Sequence, residues 1–220
     1  MKKACIFDLD GTLADTVESI ARAVNRGLEY FGYGKRPVQE YKYYAGDGLN
    51  VAFLRALRRA GDVDGRCLKE GTPLVRQWLA QEPLYRVKPY PGIEETLARM
   101  KEMGLPIAVL SNKPHKQAVQ VVETLFGQGY FDRIQGQIEG VLPKPDPAGA
   151  LKMAKDLGVS CGSCLYVGDT NTDMLTGNRA GMYTVGVTWG FRPREELEEN
   201  GAKRIIQKPE ELLLLVKELP

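Results

Sequence analysis

Asp8-Leu9-Asp10 follows the apolar run Ala4-Cys5-Ile6-Phe7, and the pattern breaks at Gly11-Thr12. Two carboxylates at that spacing, ending a segment that reads as buried, are costly unless something cationic joins them. Three further polar groups occupy comparable places. Ser111-Asn112-Lys113 follows "IAVL", Lys144-Pro145-Asp146-Pro147 opens a helical pattern, and Gly168-Asp169-Thr170-Asn171-Thr172-Asp173 follows "LYV". Each group alone has a structural reading, because Asp and Ser-Asn cap helices and Lys-Pro suits a loop. Four in this order, each at a strand end or helix start, mark a site. Carboxylates so gathered suit nucleophilic attack, proton transfer or metal binding.

The elements that must position these groups alternate along the chain. A strand at about 3–8 is followed by a mostly helical stretch from Asp15 to about Glu82, with helical patterns near 17–31, 48–60 and 67–81. "LPIAVLS" (105–111), "DRIQGQIEG" (132–140), "CLYVGD" (164–169), "MYTVGVTWG" (182–190) and "AKRIIQ" (202–207) read as strands separated by amphipathic helices, the last over 209–219. Several of these helices end in Gly (Gly104, Gly158, Gly181). Such alternation predicts an α/β fold, a parallel Rossmann-like sheet with helices on its faces, whose strand ends collect functional groups. The strandless stretch 15–86 is expected to be an inserted all-helical cap domain, leaving 1–14 and 87–220 as the core.

Composition narrows the function. A chain of 220 residues with 43% hydrophobic and 26% charged residues is that of an ordinary globular protein. Its formal charge of +2, from 30 basic and 28 acidic residues, gives no argument for nucleic acid or an anionic membrane. No segment reads as a signal peptide or membrane span, so a cytoplasmic location is expected. Cys161-Gly-Ser-Cys164 has the spacing of a redox pair but precedes a strand, whereas a redox pair follows one and opens a helix. His115 is expected as a partly exposed first-turn residue, and Lys35 and Lys42 as solvated. Trp189-Gly190-Phe191 is read either as lining an entrance or as packing on the sheet edge.

The sequence resembles the haloacid dehalogenase superfamily, and within it the phosphatases with a helical cap inserted after the first motif. "DLDGTL", "VLSNK", "PKPDP" and "VGDTNTD" match the four motifs in order, and the resemblance spans about 3–190. "YPGIEETLARMKEMGLPIAVLSNKP" and "YAGDGLNVAFLRAL" are similar to the phosphoglycolate phosphatase branch.

The resemblance implies a phosphomonoester hydrolase. Asp8 is then the nucleophile that forms an aspartyl-phosphate, and Asp10 the acid that protonates the leaving oxygen and later activates water. That division calls for an Asp10 pKa raised relative to that of Asp8. Mg²⁺ would be held by Asp8, the Asp10 carbonyl and Asp169, with Asp173 behind it holding a metal-bound water or Lys144. Lys144 supplies fixed positive charge, while Ser111 and the backbone near Leu9, Gly11 and Asn112 donate to the phosphoryl group. Thr12 shapes the turn.

The implied partner is a small-molecule phosphate ester, with neither nucleic acid nor membrane; the motifs do not address oligomeric state. The loop "YAGDGLN" (44–50) has two readings: a plain turn in which Asp47 caps the next helix, or a backbone anion site that closes over a small acidic ester such as 2-phosphoglycolate. Sugar-phosphate phosphatases and mutases like β-phosphoglucomutase share the Asp pair. A binding module without turnover and a thiol redox protein are the readings from other classes.

Overall fold

The computed structural model describes residues 3–218. Its strands are β1 (Ala4–Phe7), β2 (Ala14–Asp15), β3 (Lys88–Pro89), β4 (Ile107–Pro114), β5 (Arg133–Gln137), β6 (Cys164–Gly168), β7 (Tyr183–Val187) and β8 (Arg204–Ile206). Six form one sheet in the order β5-β4-β1-β6-β7-β8, and every pairing is parallel. The fold is therefore the α/β Rossmann-like one, with β1 central and its neighbours reached by crossovers in opposite directions. Such a reversal opens a crevice at the carboxyl ends of the strands.

Alternation within the strands explains why both sheet faces are covered. Cys5 and Phe7 of β1, Ile107 and Val109 of β4, and Leu165 and Val167 of β6 pack on one face. Ala4, Ile6, Ala108, Leu110, Cys164 and Tyr166 pack on the other. These are the period-two sets of each strand, and both are apolar, as in a parallel sheet sandwiched between helices. The first face is covered by α5 (Ile93–Glu102), α6 (His115–Phe126) and α10 (Leu212–Glu218), the second by α7 (Ala148–Leu157). Phe7 is 1% exposed and pairs in register with both Val109 of β4 and Val167 of β6. The residue after it, Asp8, is thereby fixed between the ends of β4 and β6.

Between β2 and β3, which pair antiparallel, the described backbone is helical. α1 (Val17–Tyr30), α3 (Leu49–Ala60) and α4 (Leu68–Gln81) bury a separate apolar cluster that includes Val24, Leu28, Phe53, Leu57, Val75 and Leu79. The sequence patterns for these three helices are within a residue or so of the observed ends. Two features were not legible: the short β2–β3 stem, and a compact turn at 38–44 containing α2 (Tyr41–Tyr44). Two-residue strands and a four-residue helix are too short to show a hydrophobic period. The final helix expected over 209–219 is a turn at Pro209–Glu211 and then α10, while residues 1, 2, 219 and 220 of the expected elements and core lie outside the described residues.

Candidate active site

Asp8 leaves β1 with its N–H on the Val167 carbonyl at 2.9 Å, so the sheet itself sets its position. The chain then turns sharply, the Leu9 carbonyl accepting from Leu13 and Ala14 at 3.1 and 3.0 Å. Gly11 makes this turn possible in two ways. Its φ is +91°, a conformation that favours glycine, and a Cβ there would lie 2.2 Å from Asp169 Oδ2. The Gly11 N–H is bound to the Ala14 carbonyl at 2.9 Å. The sequence assignment of Gly11 as a phosphate donor is corrected accordingly: its donor is used inside the turn, and its contribution is room for Asp169.

Asp169 stands at the end of β6, fully buried, and is held from both sides. Thr12 Oγ1 donates to its Oδ1 at 2.9 Å, and the Phe191 N–H to its Oδ2 at 2.7 Å. Gly190 allows that approach, because a Cβ there would lie 2.3 Å from Asp169 Cβ. Trp189 Nε1 donates to the Thr12 carbonyl at 3.0 Å, closing the loop of contacts. Segment 189–191 orients Asp169, while Trp189 packs against the core cluster on one face of the sheet and Phe191 is buried in the cluster of the helical insert. Thr12, read as a turn residue, also orients Asp169.

Lys144 is buried between two carboxylates, with Nζ 2.7 Å from Asp173 Oδ1 and 2.8 Å from Asp8 Oδ1. Burial alone would lower the lysine pKa, but Asp173 and Asp8 reverse this and hold it well above its usual value. Asp173 also closes the start of α8 (Asn171–Arg179): Thr170 donates to its Oδ2 from both N–H and Oγ1, at 3.1 and 2.7 Å. Asp8 Oδ1, although close to Lys144, lacks a hydrogen-bond partner of proper geometry.

Oxygen atoms of Asp8, Asp169 and Asp173 lie within 4.8 Å of one another. Three buried carboxylates against one ammonium leave two uncompensated negative charges. Burial first, then Asp173 and Asp10, raises Asp8 to about 7 despite Lys144. Burial, Asp173 and Asp8 likewise push Asp169 well above the usual carboxylate range. Burial thus raises Asp8, the group that the resemblance casts as the anionic nucleophile, so a cation beside it is needed to keep it ionised. An all-oxygen donor set, an orphaned Asp8 oxygen and a two-charge deficit fit a hard divalent cation such as Mg²⁺.

Asp10 points toward β4, where Lys113 Nζ meets its Oδ1 at 3.0 Å. Lys113 carried no assigned role in the sequence; its place beside Ser111-Asn112 was the available signal. Ser111 Oγ accepts from the Lys113 N–H at 3.1 Å, which leaves its hydroxyl proton to give. The Asn112 side chain is committed to backbone: it receives from the Lys144 N–H at 2.9 Å and donates to the carbonyls of Lys144 and Gly46 at 3.0 and 3.1 Å.

The 44–50 loop lies over this site. Gly48, with φ +92°, precedes α3 and no side chain caps the helix. Asp47 instead receives Thr172 Oγ1 at 2.5 Å and pairs with Arg55 at 2.6 Å, which corrects the reading of it as a helix cap. Arg192, another residue without a sequence signal, donates to the carbonyls of Lys42, Tyr43 and Ala45. Together core and helical insert enclose a cavity of about 30 Å³, room on the order of two waters.

The other candidates lie apart. Cys164 starts β6, at the end of the sheet opposite Asp169, and burial with Cys161 nearby pushes its thiol up to about 12, against thiolate chemistry. His115 Nδ1 accepts the Gly136 N–H at 3.2 Å, a structural contact between α6 and β5.

Residues 5–187 match the family pattern of the haloacid dehalogenase-like hydrolases. The chain is similar to a phosphoglycolate phosphatase of Neisseria meningitidis serogroup A, 31% identical over 92% of this chain and 87% of that one. It is also similar to a phosphoglycolate phosphatase of Aquifex aeolicus, 32% identical over 86% of each. A crystal structure from Lactobacillus delbrueckii subsp. bulgaricus superposes with a TM-score of 0.86 at 30% identity, over 98% of this chain and 99% of the other. The chain belongs to the haloacid dehalogenase-like hydrolase family. Within that family it is a phosphatase. Among the described residues no helix is long and apolar enough to cross a membrane.

Proposed function

We propose that the protein is a Mg²⁺-dependent phosphatase that hydrolyses a small acidic phosphate ester, of which 2-phosphoglycolate is the model, through an aspartyl-phosphate on Asp8. The observation that carries this reading is the gathering of Asp8, Asp169, Asp173 and Lys144 at one rim of the sheet. Asp8, Asp169 and the Asp10 carbonyl would hold Mg²⁺, which when bound supplies positive charge to the nucleophile and the phosphoryl oxygens.

The chain's own groups do the rest. Asp8 attacks phosphorus as the bond to the leaving oxygen breaks, and Asp10 gives that oxygen a proton. Water then attacks the phosphorus of the aspartyl-phosphate while Asp10 takes back a proton, and inorganic phosphate departs with Asp8 restored. Lys144 neutralises the transferring group, and Ser111 Oγ with the N–H groups of Leu9 and Asn112 donates to its oxygens. Asp173 keeps Lys144 aimed, and Thr12 keeps Asp169 aimed.

Residues 15–86 act as the cap that selects the ester. Similarity to the Neisseria and Aquifex enzymes supports the same substrate class. The test is a panel of phosphate monoesters assayed with and without Mg²⁺. Preferred turnover of 2-phosphoglycolate over sugar phosphates, dependent on Mg²⁺, is expected; equal turnover across the panel would reject the specificity and retain the phosphatase.

A further inference from the structure

The charged side chains lining the cavity are Asp8, Asp10 and Lys113, among the described residues. The helical insert contributes only Ile20, Leu49, Ala52 and Leu79 beside backbone from the 45–48 loop. Lys144 lies deeper and is shared between Asp8 and Asp173. Within this cavity an anionic group on the leaving side of the ester meets one cationic side chain, Lys113; Arg76 lines the adjoining cleft beyond Gly48 and Leu49.

That lysine is unusually placed. Its side chain is 1% exposed, and among the described residues its ammonium has a single partner, Asp10 Oδ1 at 3.0 Å. An ammonium carries three donors, and a buried one gains from using each of them. Neutralising Asp10 accounts for one. The flexible four-carbon stem lets the head stay on Asp10 while presenting its remaining donors to the cavity. Asp10 is the residue assigned to protonate the leaving oxygen, so a group held by Lys113 is also held beside the proton donor.

We propose that Lys113 is a specificity-determining residue of this enzyme, acting beside the cap by binding the carboxylate of the leaving group and aligning its oxygen with Asp10. The inference rests on the small-acidic-ester reading above and names the side chain that makes it. Lys113 would then discriminate between esters of the same size: favouring 2-phosphoglycolate, passing ethyl phosphate less well, and rejecting phosphoethanolamine, whose cation it repels.

The experiment measures kcat/KM for these three esters with the wild type, Lys113→Met and Lys113→Arg, all with saturating Mg²⁺. Thermal melting and residual ethyl phosphate turnover verify that the variants fold. In Lys113→Met the preference for 2-phosphoglycolate over ethyl phosphate should fall about 10- to 100-fold, the worth of a charge-assisted hydrogen bond. Lys113→Arg should recover part of that preference. A wild-type preference for the acid that persists in Lys113→Met overturns this assignment alone and leaves the substrate reading standing. Equal losses on both esters also overturn it, because they show a lysine that serves only Asp10. A wild type that does not prefer the acid overturns both the assignment and the small-acidic-ester reading.

Discussion

The two halves of the cleft are built by opposite rules. On the sheet side, carboxylates, lysines and hydroxyls are locked by short contacts: Asp169 by Thr12 and Phe191, Lys144 by Asp8 and Asp173. On the helical side, the wall is Ile20, Leu49, Ala52 and Leu79 with glycines in the loop above. The first half is rigid and charged, suited to one transition state. The second offers shape and backbone donors, suited to selecting what departs. Loss of Asp8, Asp169 or Lys144 on the sheet side should therefore stop the reaction for every ester, whereas damage to the helical side, or to Lys113 at the boundary between the halves, should change the choice among esters.

The largest effect is expected on the sheet side. Asp8→Asn removes the proposed nucleophile while keeping the side chain's size, and kcat should fall by at least a thousandfold, about 4 kcal/mol of barrier. Retention of a tenth of wild-type turnover would show that Asp8 does not attack phosphorus. Chelation comes next. EDTA should silence hydrolysis of all esters alike and Mg²⁺ restore it, while Ca²⁺, which prefers looser and larger coordination, should restore little. Full activity in excess chelator would remove the metal from the account.

Gly46→Val tests the other half. Gly46 has φ +109°, and a Cβ there would lie 3.2 Å from Thr170 Cγ2, so the loop must shift. The loss of kcat/KM for 2-phosphoglycolate should exceed that for p-nitrophenyl phosphate by about tenfold, as misplacement costs most where the leaving group needs help. Equal losses would erase the contrast between the halves. Smallest is Thr12→Val, which takes one hydrogen bond from Asp169. The Mg²⁺ concentration for half-maximal activity should rise about tenfold with kcat at saturation nearly kept. An unchanged metal requirement would leave Thr12 as a turn residue only.

The same division decided what the sequence revealed. The sheet-side groups sit at strand ends, one motif after each buried apolar run, so Asp8, Ser111 and Asp169 could be read from local pattern. Lys144 and Asp173 followed from the spacing of polar residues at helix starts. What escaped were contacts made across long separations in the chain. Trp189-Gly190-Phe191 carries no local mark of its work on Asp169, because α8 and the strand β7 lie between them in the chain. Arg192 is one more arginine until the 42–45 carbonyls are folded against it. Lys113 stood inside a recognised motif, yet its burial against Asp10 is a tertiary fact. Of the two readings of the 44–50 loop, the one in which Asp47 caps α3 is set aside because Arg55 and Thr172, distant or unmarked in the local pattern, take its carboxylate.

The central claim is that the sheet half performs phosphoryl transfer onto Asp8. Its most direct test is to mix Asp10→Asn, which is expected to slow breakdown of the intermediate, with an activated phosphate ester and Mg²⁺, quench in acid, and map the phosphorylated peptide by mass spectrometry. The account expects one phosphoryl group on the peptide containing Asp8, absent from the Asp8→Asn, Asp10→Asn double variant. A phosphoryl group on any other residue, or one that survives in the double variant, would contradict it.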